Sequence, residues 1–352
     1  MTFKFKQWPV ARVQPAFTGL AIALTLTACT GGGQQATDKA AGGLPGAGVS
    51  VTPAYALLEE AFQTEVVNIG LEQLGYDINK AKELEYASMH VDIGNGGIDF
   101  TAAHWDPNQV EFFENSGGDE KLERAGLIVA DVLQGYKIDK ATAEKYNITT
   151  LDQLKDPEIA ALFDSDGDGK ANMVGCNTGW ACELIIEHHI DEYGLRDTVQ
   201  QDQGQYFALI ADSVTRFEQG KPILFYTWTP LWLHNTLVEG EDVTWVEVPY
   251  TSFADQQGDD LDDIETLVDG KNLGFGIAQQ RIVANQEFID NNPAAAKFFS
   301  LVEVPIDAVN DQNKLVQDGE DSLDAIRGHA EAWVTENQAE FDGWVEAALA
   351  AQ

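Results

Sequence analysis

The chain has 352 residues, 44% of them hydrophobic, which marks a folded protein with room for two domains of ordinary size. Its 58 acidic against 21 basic residues give a formal net charge of -37. That charge repels a nucleic-acid backbone, favours a soluble monomer over self-association, and suits a salty surrounding where screening relieves the self-repulsion.

Lys4, Lys6 and Arg12 form a positive n-region, and Phe17 to Leu26 a short apolar core. The core is too short for a good membrane span and reads as a targeting signal. It ends in Leu26-Thr27-Ala28-Cys29, where small residues before a cysteine resemble a lipobox. Residues 1–28 are then expected to be a lipoprotein signal peptide, Cys29 the diacylated N-terminus, and residues 29–46 a Gly/Ala/Gln/Thr tether. The expected location is extracytoplasmic, anchored to a membrane.

Further on, Val49 to Pro53 reads as a short strand. Leu58, Phe62, Val66 and Ile69 fall on one helical face, with Gly75 as the stop. Phe100 to His104 reads as a strand ending at Trp105, and Asp106-Pro107 as the start of a helix through Phe112 and Phe113. Strand and helix patterns alternate over 127–138, 184–193, 206–217, 223–227 and 243–248, with Pro230 marking another helix start. This alternation predicts an α/β fold with mainly parallel sheets flanked by helices. Beyond residue 286 the pattern is helical, with Asn292-Pro293 opening one helix and Trp333 and Trp344 on two more.

No Gly-x-Ser-x-Gly elbow, His-Glu-x-x-His or P-loop is present, so the reading is not enzymatic. His188 and His189 are adjacent and diverge on a helix; Glu187 and Asp191 beside them point to a solvated face. Asp164, Asp166 and Asp168 match the first half of a calcium loop, but Gly175 stands where the bidentate Glu belongs. A self-bonded Asp/Gly turn without cofactor is the simpler reading. The acidic run Asp255, Asp259, Asp260, Asp262, Asp263, Glu265 and Asp269 reads as a solvated loop.

Three tryptophans stand at chain turns: Trp105 at a strand end, Trp180 before a helix, and Trp228 at the end of Ile223 to Thr227. In open α/β sheets, ligands bind beyond the carboxyl ends of strands. Indole faces suit a quaternary ammonium, which donates no hydrogen bond. Three faces supply about 2–6 kcal/mol, short of the roughly 8 kcal/mol of a micromolar complex. The amides of Ala181 and Cys182 open a helix, where free donors favour a carboxylate. Cys176 and Cys182, left over in an oxidising compartment, are expected to pair and to stiffen that turn. Cation box and anion-binding helix end together describe a betaine.

From about Leu44 to Ala350 the chain resembles the periplasmic glycine betaine/proline betaine-binding proteins of osmoregulated bacterial importers. The likeness lies in Ala102-Ala103-His104-Trp105, Gln134-Gly135-Tyr136, Gly175 to Cys182, Phe225 to Pro230 and Phe341 to Val345. It implies a two-lobed fold, with residues 47–135 and 246–352 in one lobe and 136–245 in the other. It implies that Trp105, Trp180 and Trp228 box the trimethylammonium group, that the Ala181 and Cys182 amides bind the carboxylate, and that Cys176 and Cys182 are bridged. It also implies delivery to an ABC permease with its ATPase. Choline or carnitine capture, and betaine sensing without transport, are the neighbouring readings. The pattern it resembles has a carboxylate-binding histidine four residues past the first box tryptophan; here Gln109 stands, able to donate but neutral at every pH.

Overall fold

The computed structural model describes residues 43–257 and 266–351. The signal peptide, Cys29, most of the tether, and Asp259, Asp260, Asp262, Asp263 and Glu265 lie outside the described residues.

Two five-stranded sheets, each flanked by helices, make a two-lobed α/β fold. The first sheet runs in the order Lys82–Glu83, Pro53–Tyr55, Phe100–Asp106, Ala278–Asn285, Leu122–Val132. The second runs Val243–Val246, Gln134–Asp139, Leu224–Trp228, Ala171–Val174, Val199–Asp202. Both sheets are mainly parallel, as expected, and each is made mixed by one reversed strand. In each, a single strand runs against both neighbours: Ala278–Asn285 in the first and Gln134–Asp139 in the second. On these strands the chain arrives from the other sheet. No helical crossover returns it beside a strand of the same sheet, so nothing imposes a parallel entry. Gln134, Gly135 and Val246 all pair in the second sheet, so the chain crosses at Leu133 and again after Val246. Leu133 is pinned at the crossing: its N–H donates to Thr229 Oγ1 (3.0 Å), and Thr229 N donates back to its carbonyl (2.8 Å).

The predicted helix opens with a 3-10 turn at Leu58–Glu60 and continues as Ala61–Gln73. Phe62, Val66 and Ile69 are buried on it, and Gly75 ends it at φ +93°, which a side chain rarely tolerates. The C-terminal helices Leu323–Glu336 and Gln338–Leu349 belong to the first lobe's packing. Trp333 meets Phe62 edge-on at 6.4 Å, Phe341 meets Phe298 at 5.9 Å, and Arg327 bridges Glu65 and Glu72.

Two helix starts lie further on than expected. Pro107 and Pro230 each follow a cis peptide bond and stand in turns. After Pro107 the chain first reverses, Gln109 N donating to the Trp105 carbonyl at 2.9 Å, and the helix is Val110–Asn115. After Pro230 the helix is Leu233–Thr236. Asn292 sits at the N-cap before Pro293, but its side chain donates to the Phe288 carbonyl at 2.8 Å and caps nothing. Among the described residues no helix is long and apolar enough to cross a membrane.

Candidate binding site

Trp105 stands near the carboxyl end of Phe100–Asp106 in the first sheet, and Trp228 ends Leu224–Trp228 in the second. Trp180 is the N-cap of the helix Ala181–Glu192. The structure brings the three together. Trp228 lies 6.4 Å from Trp105 at 84° and 6.0 Å from Trp180 at 72°, so the rings meet edge to face like walls at a corner. Each is at most 8% exposed. A fourth ring, Tyr86, stands 6.0 Å from Trp180 at 73°. The cleft between them holds about 40 Å³ open to the centre of a water molecule. One water needs roughly 10–15 Å³ on that measure, so the space admits a small solute.

Each indole is held from behind. Trp105 Nε1 donates to Glu60 Oε1 at 2.9 Å, and Tyr86 Oη donates to the same oxygen at 2.7 Å. Trp180 Nε1 donates to Glu85 Oε2 at 3.3 Å, joining second-lobe tryptophan to first-lobe carboxylate. Trp228 packs on Tyr206 at 4.6 Å, and its carbonyl accepts from His234 Nε2 at 2.7 Å. The Lys137 ammonium lies 3.3 Å from His234 Nδ1 and can only donate there, which leaves Nε2 as the protonated nitrogen. Burial, reinforced by that cation, pushes His234 down to about 3, so it stays neutral.

The polar end of the cleft is made of neutral donors. Ala181 and Cys182 begin the helix, and the N-cap Trp180 offers their amides no side-chain acceptor. Cys176 and Cys182 are bonded, closing the loop that presents this turn. Gln109 Oε1 accepts from Trp105 N at 3.2 Å, leaving Nε2 as the donating end. Gln134, also on the cleft wall, accepts at Oε1 from Asn108 Nδ2 (2.6 Å) and Tyr226 Oη (2.7 Å). Its buried Nε2 has no partner among the described residues. A buried donor left unpaired costs about 1–3 kcal/mol, which an incoming acceptor recovers.

Glu60, Tyr86 and Asn108 are not among the residues that the sequence singles out. Glu60 lies in Leu58-Glu59-Glu60 at a helix start, where acids are commonplace. Gln134 did carry a signal, as part of the Gln134-Gly135-Tyr136 stretch on the first-to-second-sheet crossing.

Other candidates stay apart from the cleft. His189 is fully buried, which corrects the solvated face expected for it. It stacks on Tyr193 at 5.1 Å, meets Tyr136 Oη at Nδ1 (2.8 Å) and donates from Nε2 to the Ser252 carbonyl (3.0 Å). Asp164, Asp166 and Asp168 offer oxygens within 4.8 Å of one another. Backbone amides within the loop donate to each of them: Gly167 and Gly169 to Asp164, Asp168 to Asp166, and Lys170 to Asp168. The arrangement is that of a self-bonded turn.

Known proteins share this plan. The family described as the substrate binding domain of the ABC-type glycine betaine transport system matches residues 50–336. The glycine betaine-binding periplasmic protein OusX of Dickeya dadantii (strain 3937) is 47% identical over 330 residues, covering 93% of this chain and 97% of its own. The glycine betaine/proline betaine-binding periplasmic protein of Escherichia coli (strain K12) is 44% identical over 317 residues, 90% of this chain and 95% of its own. An ABC-transporter choline binding protein in complex with choline superposes at a TM-score of 0.64 with 18% identity, over 86% of this chain and 96% of that one, and shares the fold. The chain belongs to the family of substrate-binding domains of ABC-type glycine betaine transport systems.

Proposed function

We propose that this protein captures glycine betaine, and with it proline betaine, for an ABC importer. The observation that carries the reading is the corner of three indoles facing a helix start. Trp105, Trp180 and Trp228 enclose the methylated cation. The amides of Ala181 and Cys182, with Gln109 Nε2 and Gln134 Nε2, take the carboxylate. The two lobes divide where the chain changes sheet, at Leu133 and after Val246, two residues before and one residue after the bounds at 135 and 245 expected from sequence. A ligand favours closure only through contacts on both lobes, and Trp105 with Gln109 on one side and Trp180 with Trp228 on the other provide them. Saturable change of indole emission on titration with glycine betaine tests the reading; an unmoved spectrum counts against it.

Choline fills the box but leaves the helix-end donors empty, so the donor set favours a betaine. No histidine lines the cleft among the described residues. Beneath it, burial holds His90 down to about 4 and His104 well below its ordinary value, so both stay neutral above pH 5. Affinity for glycine betaine is therefore expected to change by less than about threefold between pH 5 and 8. Burial pushes Glu59 up to about 7, and protonating it removes negative charge, so any drift is toward weaker binding at low pH. A calorimetric pH series that showed binding strengthen through pH 6.5 would contradict the neutral amide contact.

The same reading places the mature chain outside the cytoplasm, a monomer tethered through a diacylated Cys29. The mass of the purified mature protein decides this: a diacylglyceryl adduct on Cys29 is expected, and a free thiol there rules out the anchor.

A further inference from the structure

Glu60 is 1% exposed, and no basic side chain among the described residues forms an ion pair with it. Its four hydrogen-bond donors are all neutral. Oε1 accepts from Trp105 Nε1 and Tyr86 Oη; Oε2 accepts from Ala56 N (2.9 Å) and Leu57 N (3.0 Å). Burial pushes this carboxyl up, and the four bonds oppose that. Three of the four groups facing the carboxylate, two backbone N–H and an indole N–H, can only donate, and Tyr86 Oη is the one oxygen beside it, so this convergence of donors favours the anion. A buried anion without a counter-ion is costly. Two of its four donors belong to rings that line the cleft.

Resting on the betaine reading, we propose that Glu60 is the countercharge of the cation box, a positioning and specificity residue acting through Trp105 and Tyr86. The ligand's ammonium is the missing cation, separated from Glu60 by those two rings. Hydrogen bonds from the indole N–H and the phenol O–H to a carboxylate fix both rings in place. They also draw electron density toward the ring faces, deepening the negative quadrupole that a quaternary ammonium meets. In a water-poor site the charge itself adds a direct attraction at short range. Glu60 thereby separates a cationic head from a neutral head of the same shape, a distinction that apolar contact with indole makes only weakly.

The test compares glycine betaine with 3,3-dimethylbutanoate, whose tert-butyl head replaces trimethylammonium at equal shape with the same carboxylate. Both are titrated calorimetrically into wild-type protein, E60Q and E60D, with a cooperative thermal melt as the folding check. E60Q is expected to weaken betaine about tenfold or more and the analogue with the neutral head less than about threefold. E60D keeps the charge, so the preference for betaine over the analogue stays within about threefold of wild type even where both bind less well. Equal losses of the two ligands in E60Q indicate a merely structural role and overturn the assignment, as does unchanged betaine affinity. If E60Q does not fold, E60D decides: a collapsed preference in that charged variant overturns it, a kept one supports it. Wild-type protein that fails to bind betaine at all overturns instead the reading beneath.

Discussion

Replacing Trp180 by Ala abolishes the emission response to glycine betaine at ligand concentrations that saturate the wild type, a loss of about a hundredfold or more. Several effects combine at this residue. One indole face on a desolvated cation contributes about 0.5–2 kcal/mol. The ring also walls the cleft against water, standing 6.0 Å from both Trp228 and Tyr86. Its Nε1 reaches Glu85 on the other lobe, so its removal takes a contact from the closed form. A total near 3 kcal/mol is a factor of about a hundred. Trp180 faces the cleft while the lobes are held by two separate sheets, so the melting midpoint should stay within a few degrees of wild type. A titration in which W180A still responds at wild-type concentrations contradicts the box.

Removing the acid from the ligand tests the other end. Choline keeps the trimethylammonium head and replaces the carboxylate with a hydroxyl. Hydrogen bonds to a charged group contribute about 1.5–3 kcal/mol each. The helix-start amides of Ala181 and Cys182, and the unpartnered Gln134 Nε2, lose them together. Choline is therefore expected to bind about a hundredfold more weakly than glycine betaine, or worse, in a competition titration. Equal affinity would show that the helix start contributes nothing. The choline-bound relative shares the fold at 18% identity, so its ligand says nothing about which donors matter in this chain.

Much of the site was legible in the sequence because its parts are local. Each box tryptophan sits at the end of a short apolar strand or just before a helix, and such junctions fall where α/β proteins bind ligands. The cysteine pair lies six residues apart around Trp180, close enough to be read together. What escaped depends on distant neighbours. Glu60 acquires its role from Trp105, 45 positions away, and nothing in Glu59-Glu60 separates the buried acid from its half-buried neighbour. The one reversed strand in each sheet escaped for the same reason: Ala278–Asn285 pairs with strands from residue 100 onward and from 122 onward, reached only after the excursion through the second lobe. The acidic flank of His189 suggested solvent, but Tyr136, Tyr193 and Ser252 close over it. The preference of Pro for a first helical turn puts helix starts at Pro107 and Pro230, where the chain turns once more before each helix begins.

A crystal structure of the protein with glycine betaine bound tests the central claim most directly. The account predicts the quaternary nitrogen within about 6 Å of the ring centroids of Trp105, Trp180 and Trp228, with a carboxylate oxygen accepting from the Ala181 and Cys182 amides. A betaine seated elsewhere, or lying in this cleft with its carboxylate toward the indoles, contradicts it.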